Sequence, residues 1–278
     1  SGILQSKKRF IFPAFIGIPY NVLIIIAVLL FGKQFGINAL AIGTLIGVIG
    51  QWLFQIPDLR RTGFRFRWGI DSSHPGFKQM GRLILPVVIG SGAAQINVLV
   101  DRIMASGLVE GSISALNYAN RLSFLVYGII AIAVANAVYP EMAEAVTSKR
   151  NDKLVHNLVT SHNSLLLIIL PITVGMIILR EPLVRIVFER GAFDATATSL
   201  TVVALTFFTL GLPAICLREI VMRVFYSLQD TLTPMYVGIG TVALNIILIF
   251  VLIKPLALGG LALATSISTT CGYFVMLS

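Results

Sequence analysis

Windows of about 20 apolar residues, the length a helix needs to cross a bilayer, follow one another along almost the whole of this chain. Nothing else constrains the fold as strongly, because inside a bilayer every backbone N–H and C=O must be satisfied without water. The period-2 alternation of a membrane barrel is absent, so helices must satisfy them. Eight spans are predicted, over residues 9–32, 36–58, 81–106, 112–139, 157–180, 197–228, 233–253 and 258–278. The expected fold class is all-α, a polytopic membrane helix bundle. Composition agrees: 56% of the 278 residues are hydrophobic and 12% charged, where a soluble domain carries about a quarter charged residues. The opening "SGILQSKKRF" has no methionine and resembles an interhelical loop, and no signal peptide precedes the first span. The chain is expected to be an internal piece of a longer protein.

The net charge of +9 follows membrane topology and does not call for nucleic acid. With a cytoplasmic N-terminal end, twelve Lys and Arg between Lys7 and Lys153 fall in inner loops, against Lys33, Arg180, Arg185, Arg190 and Lys254 outside. That bias fits the positive-inside rule. The stretch "RRTGFRFRWG" reads as an interfacial loop against anionic headgroups. Cys216 and Cys271 lie inside predicted spans, as small packing residues. His74, His156 and His162 have no metal-ligand spacing, and no nucleophile, phosphate-binding or dinucleotide motif occurs. An enzyme is not expected.

The chain also resembles itself. "YNVLIIIAVLL" followed by "INALAIGT" near the start parallels "LNIILIFVLI" followed by "GLALATSI" near the end. Asn21 and Asn245 open the matching runs, six spans apart. An even number of spans makes the repeat parallel, the relation between the halves of some transporters. Three domains follow: residues 1–58 as the last two helices of one lobe, 59–80 as a cytoplasmic linker, and 81–278 as a complete six-helix lobe. Four helices are expected ahead of the first span.

Charge inside a span costs about 2.5–3.5 kcal/mol on insertion scales and so marks a bundle interior or a wet cavity. Arg102, Arg121, Arg218 and Arg223 lie within spans. In the third span, Ser91, Gln95, Arg102 and Ser106 share one helical sector, while Asn97 and Asp101 share another. Asp101 and Arg102 are therefore expected to point to different places; snorkelling to the outer interface is an alternative for both. In the fourth span, Ser114, Asn117 and Arg121, with Asn120 beside them, form a polar stripe holding one cation and no carboxylate. A forked guanidinium in a wet cavity suits an anion such as phosphate; a structural bond to a neighbouring helix is the alternative. Glu219 and Arg223, spaced i, i+4, can neutralise each other, leaving Arg218 over. Pro213 is expected to kink the sixth span, and Pro13, Pro19, Pro86 and Pro171 to interrupt theirs.

Four ordered stretches, "AQINVLVDRIMAS", "GSISALNYANRLSF", "ERGAFDATAT" and "FYSLQDTLTP", together with the leading "GILQSKKRFIFPAF", closely resemble the bacterial lipid II flippases (MurJ/MviN type) over essentially the whole chain. These belong to the multidrug/oligosaccharidyl-lipid/polysaccharide flippase superfamily. The resemblance implies a two-lobe 6+6 repeat transporter fold, of which this chain would be the fifth to twelfth helices. It implies alternating access in the bacterial inner membrane. The substrate would be an undecaprenyl-pyrophosphate-linked peptidoglycan precursor, carried from the inner to the outer leaflet by a monomer among membrane lipids.

By the same resemblance Arg121 is the cavity arginine of an "ADRL" motif, with Asn120, Asn117 and Arg102 as further substrate-binding candidates. Asn120 replaces the usual aspartate, and Phe124 stands where some members have glutamate. Leu228 and Glu219 also depart from the family's charge pattern, so the Arg218, Glu219 and Arg223 network is not inherited. Some members bind sodium: Asp101, Asn245 and Thr265 match three ligand positions, Leu261 would offer a carbonyl, and Ile249 replaces a further carboxylate. No other cofactor is implied. Two further functions fit the same residues, a superfamily exporter of O-antigen-type lipid-linked sugars or drugs and a non-transporting membrane scaffold.

Overall fold

The computed structural model describes residues 4, 11–62, 88, 92, 95–148 and 150–278. Among them the only regular structure is helical, and seven helices are long and apolar enough to cross a membrane. The chain divides into two compact units, Ser1–Ser72 and Ser73–Ser278. Residues 63–80, with most of "RRTGFRFRWG" and of the expected 59–80 linker, lie outside the described residues.

In the first unit a single turn, Ile11–Ala14, precedes α1 (Gly17–Phe35) and α2 (Ile37–Arg61). Gly36 joins these helices with φ 53° and ψ −129°, a conformation that costs glycine little. Their seam is built from small residues: Ala27, Ala39, Gly43 and Gly47 are buried. A Cβ on Gly43 would stand 2.7 Å from that of Ala27, so the backbones approach as only small side chains permit. Large aliphatics such as Leu29, 74% exposed, turn outward, as expected where lipid is the solvent.

The second unit begins, in its described part, with α3 (residues 95–106); most of 81–94, with Pro86 and Ser91, lies outside the described residues. Next come α4 (Ser112–Val126), a π-helical turn at Tyr127–Ala131, and α5 (Ile132–Thr147), which together make one long span. Then follow α6 (Asn151–Ile178), α7 (Arg180–Phe188), α8 (Ala195–Ser227), α9 (Leu232–Leu256) and α10 (Leu258–Leu277).

Helix α8 is the axis of this unit, packing on α4, α5, α6, α7 and α10. Leu205, Leu212, Cys216 and Ile220 on α8 are fully buried, with Leu165 and Ile169 of α6 and Met142 of α5 in the same cluster. Its start is capped by Asp194, whose carboxylate accepts the Ala197 N–H at 2.8 Å. Thr201, Thr206 and Thr209 spend their hydroxyl protons on carbonyls one turn back, at 2.6–2.8 Å. Such back-bonding lets a buried hydroxyl sit in an apolar environment without an orphaned donor.

Helix α10 lies tight against α8. A Cβ on Gly211 would stand 2.6 Å from the Ser266 hydroxyl, which itself donates to the Phe207 carbonyl at 2.6 Å.

Helix α8 continues through Pro213, α6 through Pro171 and α1 through Pro19, so none of these prolines ends its helix. The irregularity lies instead at the proline-free π turn 127–131, a kind of bulge often found at functional sites. The segment after the fifth span holds α7, a short amphipathic helix tied to α4 by Tyr118, whose ring centroid lies 4.7 Å from that of Phe188.

Candidate functional site

Helices α3 and α4 face α8 and α10 across two adjoining pockets of the second unit. The smaller, about 80 Å³, is walled by Asp101, Arg102, Asn117, Asn120 and Thr265, with Phe208 as its apolar side. The larger, about 300 Å³, takes in Asn97, Asp101, Asn120, Ser123, Tyr127 and Thr265, closed by Phe124, Leu212 and Ile215. Asp101, Asn120 and Thr265 belong to both. The structure thus brings together three of the four substrate-binding candidates, Arg102, Asn117 and Asn120. It also puts Asp101 and Arg102 on one pocket, contrary to the expectation that they diverge. Adjacent residues are only about 100° apart on a helix, and this pocket is wide enough to touch both.

Arg121 does not line either pocket. It is exposed on α4 and takes no ion pair or hydrogen bond among the described residues. The pocket-facing series runs through Asn117, Asn120 and Ser123 on α4 and on to Tyr127 of the π turn, whereas the stripe expected from the sequence runs through Ser114, Asn117 and Arg121. Asn117 also anchors its own helix, donating to the Ile113 carbonyl at 2.9 Å.

The charge network divides. Glu219 binds Arg223 at 2.9 Å and accepts the Tyr127 hydroxyl at 2.8 Å. The Arg223 guanidinium also stands 5.8 Å from the centre of the Tyr139 ring, within cation–π range. Tyr127 belongs to the π turn, so this cluster pins the irregular point of the α4–α5 span to α8. Arg218 joins none of these bonds, and its Nε is shielded without a partner. Tyr127 and Tyr139 were not singled out from the sequence; an aromatic hydroxyl within an apolar run was their only signal.

The three sodium-ligand positions assemble in part. Asn245, 2% exposed, donates to Thr265 Oγ1 at 3.2 Å and to Ser268 Oγ at 3.3 Å. Both hydroxyls have already given their protons to carbonyls, Thr265 to Leu261 and Ser268 to Thr265. They can therefore only accept, which turns the Asn245 amide nitrogen toward them and its Oδ1 away. That Oδ1 and Asp101 Oδ1 are both shielded and lack a donor. Ile249, fully buried with Ala105, Leu261 and Ala264, fills the remaining position with hydrocarbon.

Comparison with known proteins places this geometry in a family. The model of the lipid II flippase MurJ family matches residues 1–278. The chain belongs to the lipid II flippase MurJ family. A probable lipid II flippase MurJ of Rhizobium meliloti is 33% identical over 270 residues, covering 95% of this chain and 50% of that protein. One from Rickettsia prowazekii is 32% identical over 271 residues, with 96% and 53% covered. The chain thus spans about half the length of the curated relatives it matches. A solved lipid II flippase MurJ in an inward closed conformation superposes with a TM-score of 0.83 at 29% identity, covering 99% of this chain and 57% of that one. An inward-facing multidrug transporter of the MATE family gives 0.82 at 15% identity, with 99% and 64% covered, a likeness of fold alone. The all-α membrane bundle and the family resemblance are both borne out.

Proposed function

We propose that this chain is the part of a lipid II flippase that receives the anionic headgroup of an undecaprenyl-pyrophosphate-linked peptidoglycan precursor, in a multi-pass protein of the bacterial inner membrane with its N-terminal end cytoplasmic. The observation that carries this reading is the membrane-embedded pocket joining Arg102 to the amides Asn117 and Asn120. Arg102 has no ion pair among the described residues, and Arg121 lies unpaired one helical position from Asn120. The Arg102 guanidinium and the Asn120 amide, without an internal acceptor among the described residues, offer charge-assisted and neutral N–H bonds to phosphate oxygens. Transfer across the bilayer breaks no covalent bond, so the chain needs no nucleophile or acid–base pair.

The same reading gives Asp101 a bound monovalent cation, sodium in chemistry, reached from the side of Asn245 and Thr265. One carboxylate surrounded by amide, hydroxyl and carbonyl oxygens balances a single positive charge.

The test uses cells depleted of their own flippase and expressing the intact protein at matched membrane levels. The wild type is expected to restore precursor on the outer leaflet. Arg102→Ala is expected to lower that exposure by about tenfold or more, the effect of losing one charge-assisted contact. Equal restoration by both would make Arg102 structural and remove the anion reading.

A further inference from the structure

A separate polar groove of the same unit lies between α5 and α6 and shares no residue with the two pockets above. It holds about 250 Å³ and is lined by Glu141 of α5 and by His156, Thr160 and Ser164 of α6, over a floor of Val134 and Val138. His156, Thr160 and Ser164 are spaced i, i+4, i+8 and so form one row along α6.

The depth of that row in the bilayer follows from helix length. At about 1.5 Å per residue the 28 residues of α6 measure about 42 Å, more than a hydrocarbon core of about 30 Å. With the apolar stretch from Leu165 to Ile178 placed in the core, His156 stands just outside it and Ser164 about 8 Å within. The row thus crosses the boundary where headgroups give way to hydrocarbon. Glu141 is about as far from the end of α5 as His156 is from the start of α6, so the two stand at one level.

These groups are not spent on internal bonds. Hydroxyls nearby donate to the carbonyl one turn back, Thr147 at 2.8 Å, Ser161 at 2.6 Å and Thr173 at 2.8 Å. Thr160 and Ser164, both exposed, make no such bond among the described residues. Glu141 is likewise exposed and has no ion pair among them, whereas Glu144 holds Lys153 at 3.3 Å. At the edge of a bilayer such groups need polar partners, and lipid tails offer none. The groove sets one carboxylate at its outer end and hydroxyl donors deeper in, with no lysine or arginine in its lining. That order complements a zwitterionic lipid: an ammonium pairs with Glu141, and the phosphate beneath it accepts from Thr160 and Ser164.

We infer that the α5–α6 groove is a binding site for phosphatidylethanolamine, with Glu141 selecting the amine and Thr160 and Ser164 holding the phosphate. Its space, about eight water volumes, admits a phosphoethanolamine group, and Val134 and Val138 meet the glycerol end. Phosphatidylglycerol brings the same phosphate without a cation, so its net negative charge meets the Glu141 carboxylate unpaired. The site uses none of Arg102, Asn117 or Asn120, and therefore stands or falls apart from the flippase reading.

Native mass spectrometry of the intact, delipidated protein, titrated with phosphatidylethanolamine or phosphatidylglycerol of matched oleoyl chains, tests this. Thermal midpoints in detergent verify that each variant is folded. The wild type is expected to bind its first phosphatidylethanolamine about tenfold or more tighter than phosphatidylglycerol, the effect of one charge-assisted contact. Glu141→Gln should abolish that preference, Glu141→Asp should keep it, and Glu141→Lys should reverse it. Thr160→Val combined with Ser164→Val should weaken both lipids alike, by about fivefold or more, because the phosphate is common to them. A wild type without preference, or a preference that survives Glu141→Gln, would overturn the site, as would unchanged affinity in the double valine variant.

Discussion

Two hairpins of this chain share a backbone and differ in what they bury. α1 and α2 turn on Gly36 at φ 53°, ψ −129°; α9 and α10 turn on Ala257 at φ 46°, ψ −121°. In each, the pivot N–H donates to the carbonyl four residues back at 2.9 Å, Gly32 in one and Ile253 in the other. In each, the pivot carbonyl accepts from three residues on, Ala39 at 3.2 Å and Gly260 at 3.1 Å. The matched asparagines have different surroundings. Asn21 is exposed and bonds only to its own helix, through the Gly17 carbonyl at 2.7 Å. Asn245 is buried and bonds across the hairpin to Thr265 and Ser268. A duplicated hairpin is a scaffold; burial of one polar residue against facing hydroxyls turns one copy into the wall of a site.

The largest predicted effect separates the hairpins at their tightest point. A Cβ on Gly260 would stand 2.3 Å from the Leu252 carbonyl oxygen, which is backbone and cannot swing away. Ala39, at the same place in the first hairpin, already carries its Cβ and is buried. Gly260→Ala should therefore destabilise the protein by about 2–3 kcal/mol through overpacking, while Ala39→Gly costs about 1 kcal/mol, a helix-propensity effect. Thermal midpoints in detergent, read by fluorescence-detected size exclusion, check both. Equal small shifts would mean that the two seams are equally loose.

Next in size, Asn245→Ala should cost about 1–3 kcal/mol, because two buried hydroxyls lose the donor they accept from. Asn21→Ala should stay within about 0.5 kcal/mol. A matching loss at Asn21 would remove the distinction between scaffold and site.

The repeat itself was legible because it rests on local features, an asparagine before an aliphatic run and an Ala-Leu-Ala after the turn. The spans were legible for the same reason, since about 20 apolar residues in a row leave few alternatives. Contacts distant in sequence were not. Glu219 meets Tyr127 across 92 residues, and no spacing rule connects them. Helix α7 was hidden because Arg180, Glu181 and Arg185 give it the look of a charged loop; in the structure Arg185 pairs with Glu181 at 2.9 Å on its surface. Ser123 was passed over because a serine in a membrane helix ordinarily back-bonds, and only the structure reveals that it does not. The polar stripe on α4 was seen, yet its pocket-facing edge lies through Asn120 and Ser123, a rotation that periodicity alone does not resolve.

A smaller effect concerns the pivots. Ala257 holds a positive φ that glycine holds in the first hairpin, and a residue with a Cβ in such a region stores about 1–3 kcal/mol of strain. Ala257→Gly should raise the thermal midpoint, by about 1 kcal/mol once the greater freedom of glycine in the unfolded chain is set against it. Gly36→Ala should lower it by a similar amount. Opposite signs from reciprocal exchanges would establish that the pivots are equivalent, and like signs would separate them.

The smallest effect lies where the second hairpin begins. Asp230 precedes α9 and accepts from the Thr233 hydroxyl at 2.6 Å and from the N–H groups of Thr233 and Leu232, each at 3.0 Å. α1 has no side-chain cap at the corresponding end, where Ile16 stands. The Thr233 hydroxyl bond first, then the Thr233 N–H bond and last the Leu232 N–H bond hold the Asp230 carboxyl below its ordinary range, against the opposing effect of desolvation. A carboxylate depressed in the folded state stabilises above its unfolded pKa, and that contribution is lost as pH falls through the folded value. The thermal midpoint of the wild type should therefore exceed that of Asp230→Ala at neutral pH, with the gap closing as pH is lowered through the acid range. Because Asp230 lies only partly buried at the surface, the gap should be the smallest of the set and should shrink in salt, as screening predicts. A gap that persisted at low pH would mean that Asp230 acts through the shape of the turn, where Gln229 already sits at φ 59°, and not through its charge; the two hairpins would then differ at their entrances by backbone geometry alone.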